Sequence, residues 1–322
     1  MRINVSEPRG GVGTLDVTSI LSLLGGLICA GLGGELFVRG TVGLARAARI
    51  SPGIVAATVA AFATSSPEVT IAVSSALDGV PQISLGDALG SNLVNVALIL
   101  GLALVIAPVR AQGGSLKRDL PVALLVQVVL LVLLFDGRLS RIDAGLLLAV
   151  FLAWLFAVVH EARSQRSAAT EVLGEPRPSR AFLESGAGLA LLISAGKLIV
   201  LGATGIATAF GLSEFVIGAT IVAIGTSVPE MATVLISRWK GHDEVGLGTV
   251  LGSNIFNGLL VVGIAAAIAP YEVGFREVAT ALVIGLAAVA LIYPPRSGII
   301  DRWRGGLLLA LYAVYVLAVL QA

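Results

Sequence analysis

Two five-residue segments combine an acid, hydroxyl groups and a proline within apolar surroundings: Thr64 to Glu68 (TSSPE) and Thr226 to Glu230 (TSVPE). Proline lacks an N–H and its ring crowds the carbonyl four residues back, so a helix that contains it kinks or opens there. Carbonyl groups freed inside a membrane need another partner, and a bound cation can satisfy several of them together. Since intramembrane acids usually serve a function, each segment predicts part of an ion-binding site.

Further polar side chains follow in both halves of the chain: Ser91 with Asn95, and Ser253 with Asn257. The four-residue spacing puts each pair on one helix face. The neighbouring Gly90 and Gly252 are expected to allow close helix contact. Ser and Asn side chains also commonly form structural hydrogen bonds between membrane helices. Beside the two glutamates, however, they are interpreted as the other walls of one site.

The predicted site offers only oxygen ligands: carboxylates, carbonyls, hydroxyls and amides. Such hard ligands suit Ca²⁺, Mg²⁺ or Na⁺ and argue against zinc or copper. The single cysteine, Cys29, excludes an intrachain disulfide framework and a Cys-based metal site. Two carboxylates balance the charge of one Ca²⁺ ion, whereas monovalent ions could occupy several neighbouring oxygen positions.

The composition predicts that lipid surrounds these elements. Of the 322 residues, 57% are hydrophobic and 13% are charged, and the mean hydropathy is +0.98. A soluble domain carries roughly a quarter charged residues. The net charge of +1 gives no indication of a nucleic-acid partner. Arg2 and Arg9 precede a first apolar run that is too long for a signal-peptide core, so we predict a retained first span.

Apolar runs of about 20 residues, each long enough to cross roughly 30 Å of hydrocarbon, predict an all-α, polytopic membrane protein. The ten predicted transmembrane helices are 17–38, 53–77, 83–108, 119–136, 141–160, 184–210, 213–236, 245–270, 276–294 and 305–321.

The distribution of basic residues predicts the orientation in the cell membrane. With the N-terminus outside, fifteen of the 21 Lys and Arg residues fall in cytoplasmic segments and five in outer ones. Because cytoplasmic loops are enriched in Lys and Arg, both termini are expected outside and the polar central linker inside.

An internal repeat decides the predicted architecture. A shift of 162 residues places AFATSSPE (61–68) on AIGTSVPE (223–230) and LGSNLVN (89–95) on LGSNIFN (251–257), without a gap. Each copy holds five predicted spans, and because five is odd the second copy enters the membrane from the opposite side. Inverted repeats of this kind hold their site near the midplane. The predicted units are a first five-helix repeat (1–160), a cytoplasmic linker (161–182) and a second five-helix repeat (183–322).

These doubled motifs resemble the cation/calcium exchanger superfamily, and they are most similar to its compact prokaryotic sodium/calcium exchangers. The resemblance covers nearly the whole chain. It implies that Glu68, Glu230 and the carbonyls of Thr64 and Thr226 hold calcium. It further implies that sodium uses both glutamates with the serines and neighbouring carbonyls, and that two asparagines line the site: Ser65, Ser227, Ser91, Ser253, Asn95 and Asn257.

Some positions depart from the pattern of this superfamily. Some members carry Asp where Asn257 stands, which leaves sodium stoichiometry and any potassium requirement open. Ala63 replaces the usual glycine of the first motif and could stiffen that break. Glu35 and Lys197 occupy equivalent repeat positions, where an acid in both is more familiar.

The resulting hypothesis is a secondary active antiporter that exchanges Ca²⁺ against Na⁺ by alternating access. An empty site would expose two carboxylates, and closing low-dielectric protein over them is prohibitive. A Ca²⁺/H⁺ or other divalent-cation antiporter is the alternative, because glutamates can carry protons, and a cation channel is a weaker one.

An enzyme is not indicated by the sequence. No Ser–His or Cys–His pair lies inside the predicted spans, and His160 and His242 fall at cytoplasmic loops. We expect no cofactor apart from the transported Ca²⁺ and Na⁺ ions, and no partner beyond these ions, H⁺ in the alternative, and membrane lipid. A monomer can suffice, and the sequence leaves the oligomeric state open.

Overall fold

The computed structural model describes residues 17–79, 81–111, 114–168, 178–209 and 223–321. This part of the chain is almost entirely helical, as the long apolar runs predicted. The helices are α1 (Val17–Ala48), α2 (Pro52–Thr64), α3 (Ser66–Leu77), α4 (Gln82–Ile106), α5 (Gly114–Leu133), α6 (Arg141–Ala168), α7 (Pro178–Ala209), α8 (Ala223–Thr226), α9 (Val228–Trp239), α10 (Asp243–Ile268), α11 (Phe275–Leu291) and α12 (Arg302–Gln321).

Six of the described helices are long and apolar enough to cross a membrane, and α2 with α3 gives a seventh crossing if this pair, bent by 44°, counts as one. Large apolar side chains such as Leu21, Ile28 and Phe156 are exposed on α1 and α6, as expected of helices that face lipid. Described helices overlap all ten predicted segments, although residue 210 of the sixth and residues 213–222 of the seventh lie outside the described residues. The count of ten crossings therefore stays a prediction.

The helices extend into the segment predicted as the linker, 161–182. Helix α6 continues to Ala168 and α7 begins at Pro178. Polar contacts hold the extended end of α6, because Arg118 Nη1 donates to Glu161 Oε2 at 2.7 Å and the Ser51 N–H donates to Gln165 Oε1 at 2.9 Å. Residues 169–177 of the predicted linker lie outside the described residues.

Two short antiparallel strand pairs connect the two halves at opposite ends of the bundle. Strand β1 (Val109–Arg110) pairs with β4 (Ile299–Ile300), and β2 (Arg138–Leu139) pairs with β3 (Tyr271–Glu272). The 162-residue shift carries β1 onto β3, and β2 to within one residue of β4. Each strand pair therefore combines one strand from each half, and the two pairs are related by the repeat, as expected for an inverted arrangement. Following the predicted orientation, we call the β1–β4 end the inner end and the β2–β3 end the outer end.

Helices α4 and α10 run through the centre of the bundle. Both are mostly buried, whereas most of α1 and α7 is exposed or only partly buried. The latter two form a peripheral antiparallel pair in which Gly33 contacts Leu191 and Gly40 contacts Ser185. Small residues permit this close approach. The polar residues of α4 and α10 therefore lie inside the protein, next to the broken helices.

Candidate ion-binding site

Both proline segments break their helix at the same place. Helices α2 and α3 meet at Ser65, whose φ and ψ are −84° and 8°, and α8 and α9 meet at Ser227, with −87° and 8°. Helical ψ is near −42°, so each serine leaves the helical conformation. The prolines stand in the first turn of α3 and α9, where a missing N–H is tolerated. The Ala63 carbonyl, which Pro67 cannot serve, accepts the Ser66 hydroxyl at 2.8 Å.

Glu68 and Glu230 follow these breaks in the first turn of α3 and α9. Each is 1% exposed, and the two carboxylates interact electrostatically with each other. Ser253 Oγ donates to Glu230 Oε1 at 3.2 Å and lies 3.4 Å from Thr64 Oγ1, which belongs to the other repeat. The structure therefore brings the acids together at the boundary between the repeats.

Most of the predicted ligands carry buried polar atoms with no hydrogen-bond partner in the described part of the protein. An unsatisfied buried polar atom costs about 1–3 kcal/mol, so such atoms are rare unless a site needs them. Their concentration here indicates a place where the fold holds oxygens for a ligand. The seven residues concerned are Ser65, Glu68, Ser91, Asn95, Ser227, Glu230 and Asn257.

The remaining predicted residues also surround this region. Thr64 is fully buried, and Thr226 is partly buried at the end of α8. Asn95 and Asn257 lie in π-helical stretches of α4 and α10 that begin at equivalent positions, Val94 and Phe256. Such widened turns often occur at functional sites.

Asn92 and Asn254 contribute a contact that sequence reasoning missed. Asn92 Nδ2 donates to the Asn254 carbonyl at 3.2 Å, and Asn254 Nδ2 donates to the Asn92 carbonyl at 3.1 Å. Asn95 Nδ2 also donates to Asn254 Oδ1 at 3.1 Å. This reciprocal pair marks the local twofold relation between α4 and α10. The signal in the sequence was the Asn shared by both LGSN motifs.

The predicted close contact is present at Gly252. A Cβ there would meet the Ala57 backbone and the Ala61 side chain, so α10 packs directly on α2. At Gly90 a Cβ would meet Tyr315 Oη at 3.9 Å, and no closer contact is found among the described residues. Ala219, the repeat equivalent of Ala57, is not among them.

The site is enclosed more tightly toward the inner end than toward the outer end. On the inner side, Gly34 of α1 lies directly against Ala232 and Ile236 of α9. On the outer side, a cavity of about 760 Å³ separates the equivalent helices, α7 and α3. Its lining includes Ser66, Pro67 and Thr70 of α3, Lys197 of α7, and Thr226.

Glu35 and Lys197, the charged residues at equivalent repeat positions, have different surroundings. Glu35 Oε1 accepts from Arg39 at 2.7 Å and from Lys240 Nζ at 3.0 Å, near the inner end. Lys197 borders the outer cavity and forms no ion pair with any described residue.

Comparison with known proteins identifies relatives along nearly the whole chain. The family model described as sodium/calcium exchanger protein matches residues 18–160 and 181–321. A putative antiporter, CaxA of Alkalimonas amylolytica, is 36% identical over 79% of this chain and 82% of its own. The inner membrane protein YrbG of Escherichia coli is 35% identical over 85% of this chain and 90% of its own.

Solved structures show the same architecture. The sodium/calcium exchanger from Methanococcus jannaschii superimposes with a TM-score of 0.80 at 30% identity, covering 93% of this chain and 98% of that chain. The helical membrane fold predicted from the sequence is confirmed by this match.

Proposed function

The chain belongs to the sodium/calcium exchanger family, and on that basis we propose that it is an antiporter exchanging Ca²⁺ against Na⁺ across a membrane. The observation that carries the proposal is the pair of buried carboxylates, Glu68 and Glu230, set among unpaired oxygens where the repeats meet. The donor chemistry fits Ca²⁺, which takes six to eight oxygen ligands and favours carboxylates.

Within this proposal, Ca²⁺ binds Glu68 and Glu230 together with the carbonyls of Thr64 and Thr226. Sodium ions use the same carboxylates with nearby hydroxyl and carbonyl oxygens, and two amides line the centre. These further residues are Ser65, Ser227, Ser91, Ser253, Asn95 and Asn257.

The different packing at the two ends supports alternating access. The two repeats share motifs and break geometry, yet α1 closes on α9 while a cavity separates α7 from α3. If the repeats exchanged these arrangements, the inner side would open and the outer side would close. Such exchange between inverted repeats is how many secondary transporters alternate.

We place the protein in a prokaryotic inner or plasma membrane, with both termini outside and the central linker in the cytoplasm. The basic-residue distribution supports this orientation, and YrbG is named an inner membrane protein. The proposed repeats are 1–160 and 183–322. The transported ions are its substrates, so the proposal includes neither a resident cofactor nor an enzymatic reaction, and a monomer suffices for it.

A sodium-jump experiment tests the proposal. In proteoliposomes loaded with Na⁺ and diluted into Na⁺-free buffer with radioactive Ca²⁺, we expect rapid Ca²⁺ uptake, because outward Na⁺ flow drives Ca²⁺ inward. The pH is equal on both sides, and a protonophore is included to remove any proton gradient. In matched vesicles loaded with choline, uptake should stay at the protein-free level.

A Ca²⁺/H⁺ antiporter would give the opposite pattern. Uptake would then follow an imposed proton gradient and would be indifferent to replacement of Na⁺ by choline. That result would overturn sodium coupling while leaving the carboxylate site in place.

A further inference from the structure

One face of α4 carries a row of unpaired oxygens that extends beyond the site described above. Ser84, Asp87, Ser91 and Asn95 follow one another at spacings of three, four and four residues, which places them on one helix face. Each has a buried side-chain oxygen without a hydrogen-bond partner among the described residues. Ser84, Ser91 and Asn95 are at most 1% exposed. The row therefore continues past Ser91 to Asp87 and Ser84.

This row leads from the site toward the outer end. Gln82, the first residue of α4, donates from Nε2 to the carbonyl of Glu272 in β3 at 3.3 Å, which fixes this end of the helix at the outer strand pair. The Asp87 carboxylate is partly buried and interacts electrostatically with Glu68 and Glu230. Nowhere in the described ranges do three acidic, His or Cys side chains converge on one metal position. Asp87 is therefore near the two glutamates but outside their binding position.

The second repeat has no acid in the equivalent extension. The equivalents of Ser84 and Asp87 are Gly246 and Thr249, so neither position of α10 holds a carboxylate. Asp243, three residues before Gly246, is paired with Arg238 at 2.8 Å on the inner side. Thr249 is fully buried, and its Oγ1 also has no hydrogen-bond partner among the described residues, so what this face lacks is the charge of Asp87. A carboxylate without an ion-pair partner among the described residues is thus found on this face of α4 but not on the corresponding face of α10.

We propose that Asp87, with Ser84, forms a further cation-binding position on the outer side, which a cation occupies before it reaches Glu68 and Glu230. The inference rests on the proposed exchange function, because the ion at this position is the substrate of that exchange. A carboxylate beside two others raises the local cation concentration and lowers the barrier to approach. Because the inner side has Thr249 instead, the position acts on ions from outside only.

The test is a sided measurement of Ca²⁺ dependence in right-side-out and everted membrane vesicles. For Asp87→Asn we expect the half-saturating Ca²⁺ concentration on the outer face to rise about tenfold, the scale of one charge interaction near a protein surface. On the inner face the change should stay below about twofold. Asp87→Glu should restore most of the outer affinity. Asp136→Asn, which removes an exposed carboxylate from an outer loop, is the matched control.

Equal changes on both faces, or no change on either, would overturn the outer position. Wild-type vesicles are measured in parallel, and a lack of sodium-dependent flux in them would count against the exchange function itself. The two failures are thus distinguishable.

A second inference comes from charges at equivalent repeat positions. The 162-residue shift carries Glu35 to Lys197 and carries Asp78 to Lys240. Glu35 and Lys240 form an ion pair of 3.0 Å on the closed inner side. Asp78 and Lys197 have the same relation with reversed charges, yet they form no ion pair in the part of the chain described, and Lys197 borders the outer cavity.

We infer that these two pairs alternate, so that Asp78 and Lys197 meet when the outer side closes and Glu35 and Lys240 separate when the inner side opens. Exposed pairs contribute only about 0–1 kcal/mol. Such small energies let either pair break during transport.

Disulfide trapping tests this alternation without regard to which ions are carried. In a Cys29→Ser background, we expect a short bis-methanethiosulfonate reagent to crosslink Glu35→Cys with Lys240→Cys, and separately Asp78→Cys with Lys197→Cys. The reagent replaces the length of the Glu and Lys side chains, which a direct disulfide does not span. Each crosslink should stop transport, and a reductant should restore it. In the variant with all four cysteines, each molecule should form only one of the two crosslinks.

Asp78→Cys with Gly186→Cys is a control pair that should not crosslink, because position 78 lies at the outer end of α3 and position 186 in the inner part of α7. Simultaneous formation of both crosslinks in one molecule would contradict the alternation. So would failure of positions 78 and 197 to crosslink in vesicles that transport. Neither outcome bears on the identity of the ions.

Discussion

Replacing Glu68 or Glu230 with glutamine is expected to reduce sodium-driven Ca²⁺ uptake by more than about 100-fold. Both carboxylates are buried, so little solvent screens their attraction for a cation. Loss of one carboxylate leaves Ca²⁺ only half neutralised in a low-dielectric site. A loss of about 2.7 kcal/mol of binding free energy already weakens Ca²⁺ binding about 100-fold. Glutamine keeps the shape of the side chain, so the packing of α3 and α9 should survive.

The measurement is initial Ca²⁺ uptake in proteoliposomes, normalised to protein that elutes as a single folded species in detergent. Glu272→Gln is the matched control, because it removes an exposed carboxylate from the outer strand β3. Its uptake should match that of the wild type. If both the Glu68→Gln and Glu230→Gln variants kept more than a third of wild-type uptake, the proposed ligands would be wrong.

Much of the fold could be predicted because two strong signals agree. Spans were visible as apolar runs, and their inverted relation followed from an odd number of spans in each repeat. The breaks followed from Pro67 and Pro229, whose missing N–H groups act locally. The sequence could not show that the break falls at Ser65 and Ser227, two residues before each proline, because neighbouring helices also determine where a strained turn opens.

The contacts between repeats were harder to predict. Spacing places Asn92 on a face of α4 but does not say which residue of α10 it meets, and the reciprocal bonds to Asn254 depend on how the helices cross. The same limit concealed Asp87. Asp87 lies on α4 and Glu68 on α3, and the turn between these helices brings the two carboxylates near each other. Their interaction therefore depends on how α3 and α4 pack.

Composition alone also does not show where a polar helix end lies. The segment after His160 is rich in Arg, Ser and Glu and was predicted to be a linker, yet α6 continues to Ala168. A helix satisfies its own backbone groups, so it can extend past the apolar zone when tertiary contacts support it. Arg118 and Ser51 supply those contacts, and both lie far away in sequence.

The coupling mechanism follows from the charge of the site. With Ca²⁺ or enough Na⁺ bound, the two carboxylates are neutralised and low-dielectric protein can close over them. Without a cation they are bare, and closure over unpaired buried charges costs several kcal/mol. The loaded carrier therefore changes state readily, whereas the empty carrier does so at least about 100-fold more slowly.

The slow return of the empty carrier leads to the second large effect that we expect, a dependence of Ca²⁺ efflux on external cations. Ca²⁺ efflux from preloaded proteoliposomes should require a cation on the opposite side, because only an occupied site can return. Either Na⁺ or Ca²⁺ in the external buffer should support efflux. A channel, by contrast, needs no exchange partner.

The most direct measurement is therefore the rate of radioactive Ca²⁺ efflux into choline buffer with a Ca²⁺ chelator, compared with efflux into Na⁺ buffer, with valinomycin and K⁺ holding the membrane potential at zero. We predict efflux at the protein-free leak rate in choline and at least about 100-fold faster efflux in Na⁺. Equal, fast efflux in both buffers would contradict obligatory exchange at the two glutamates.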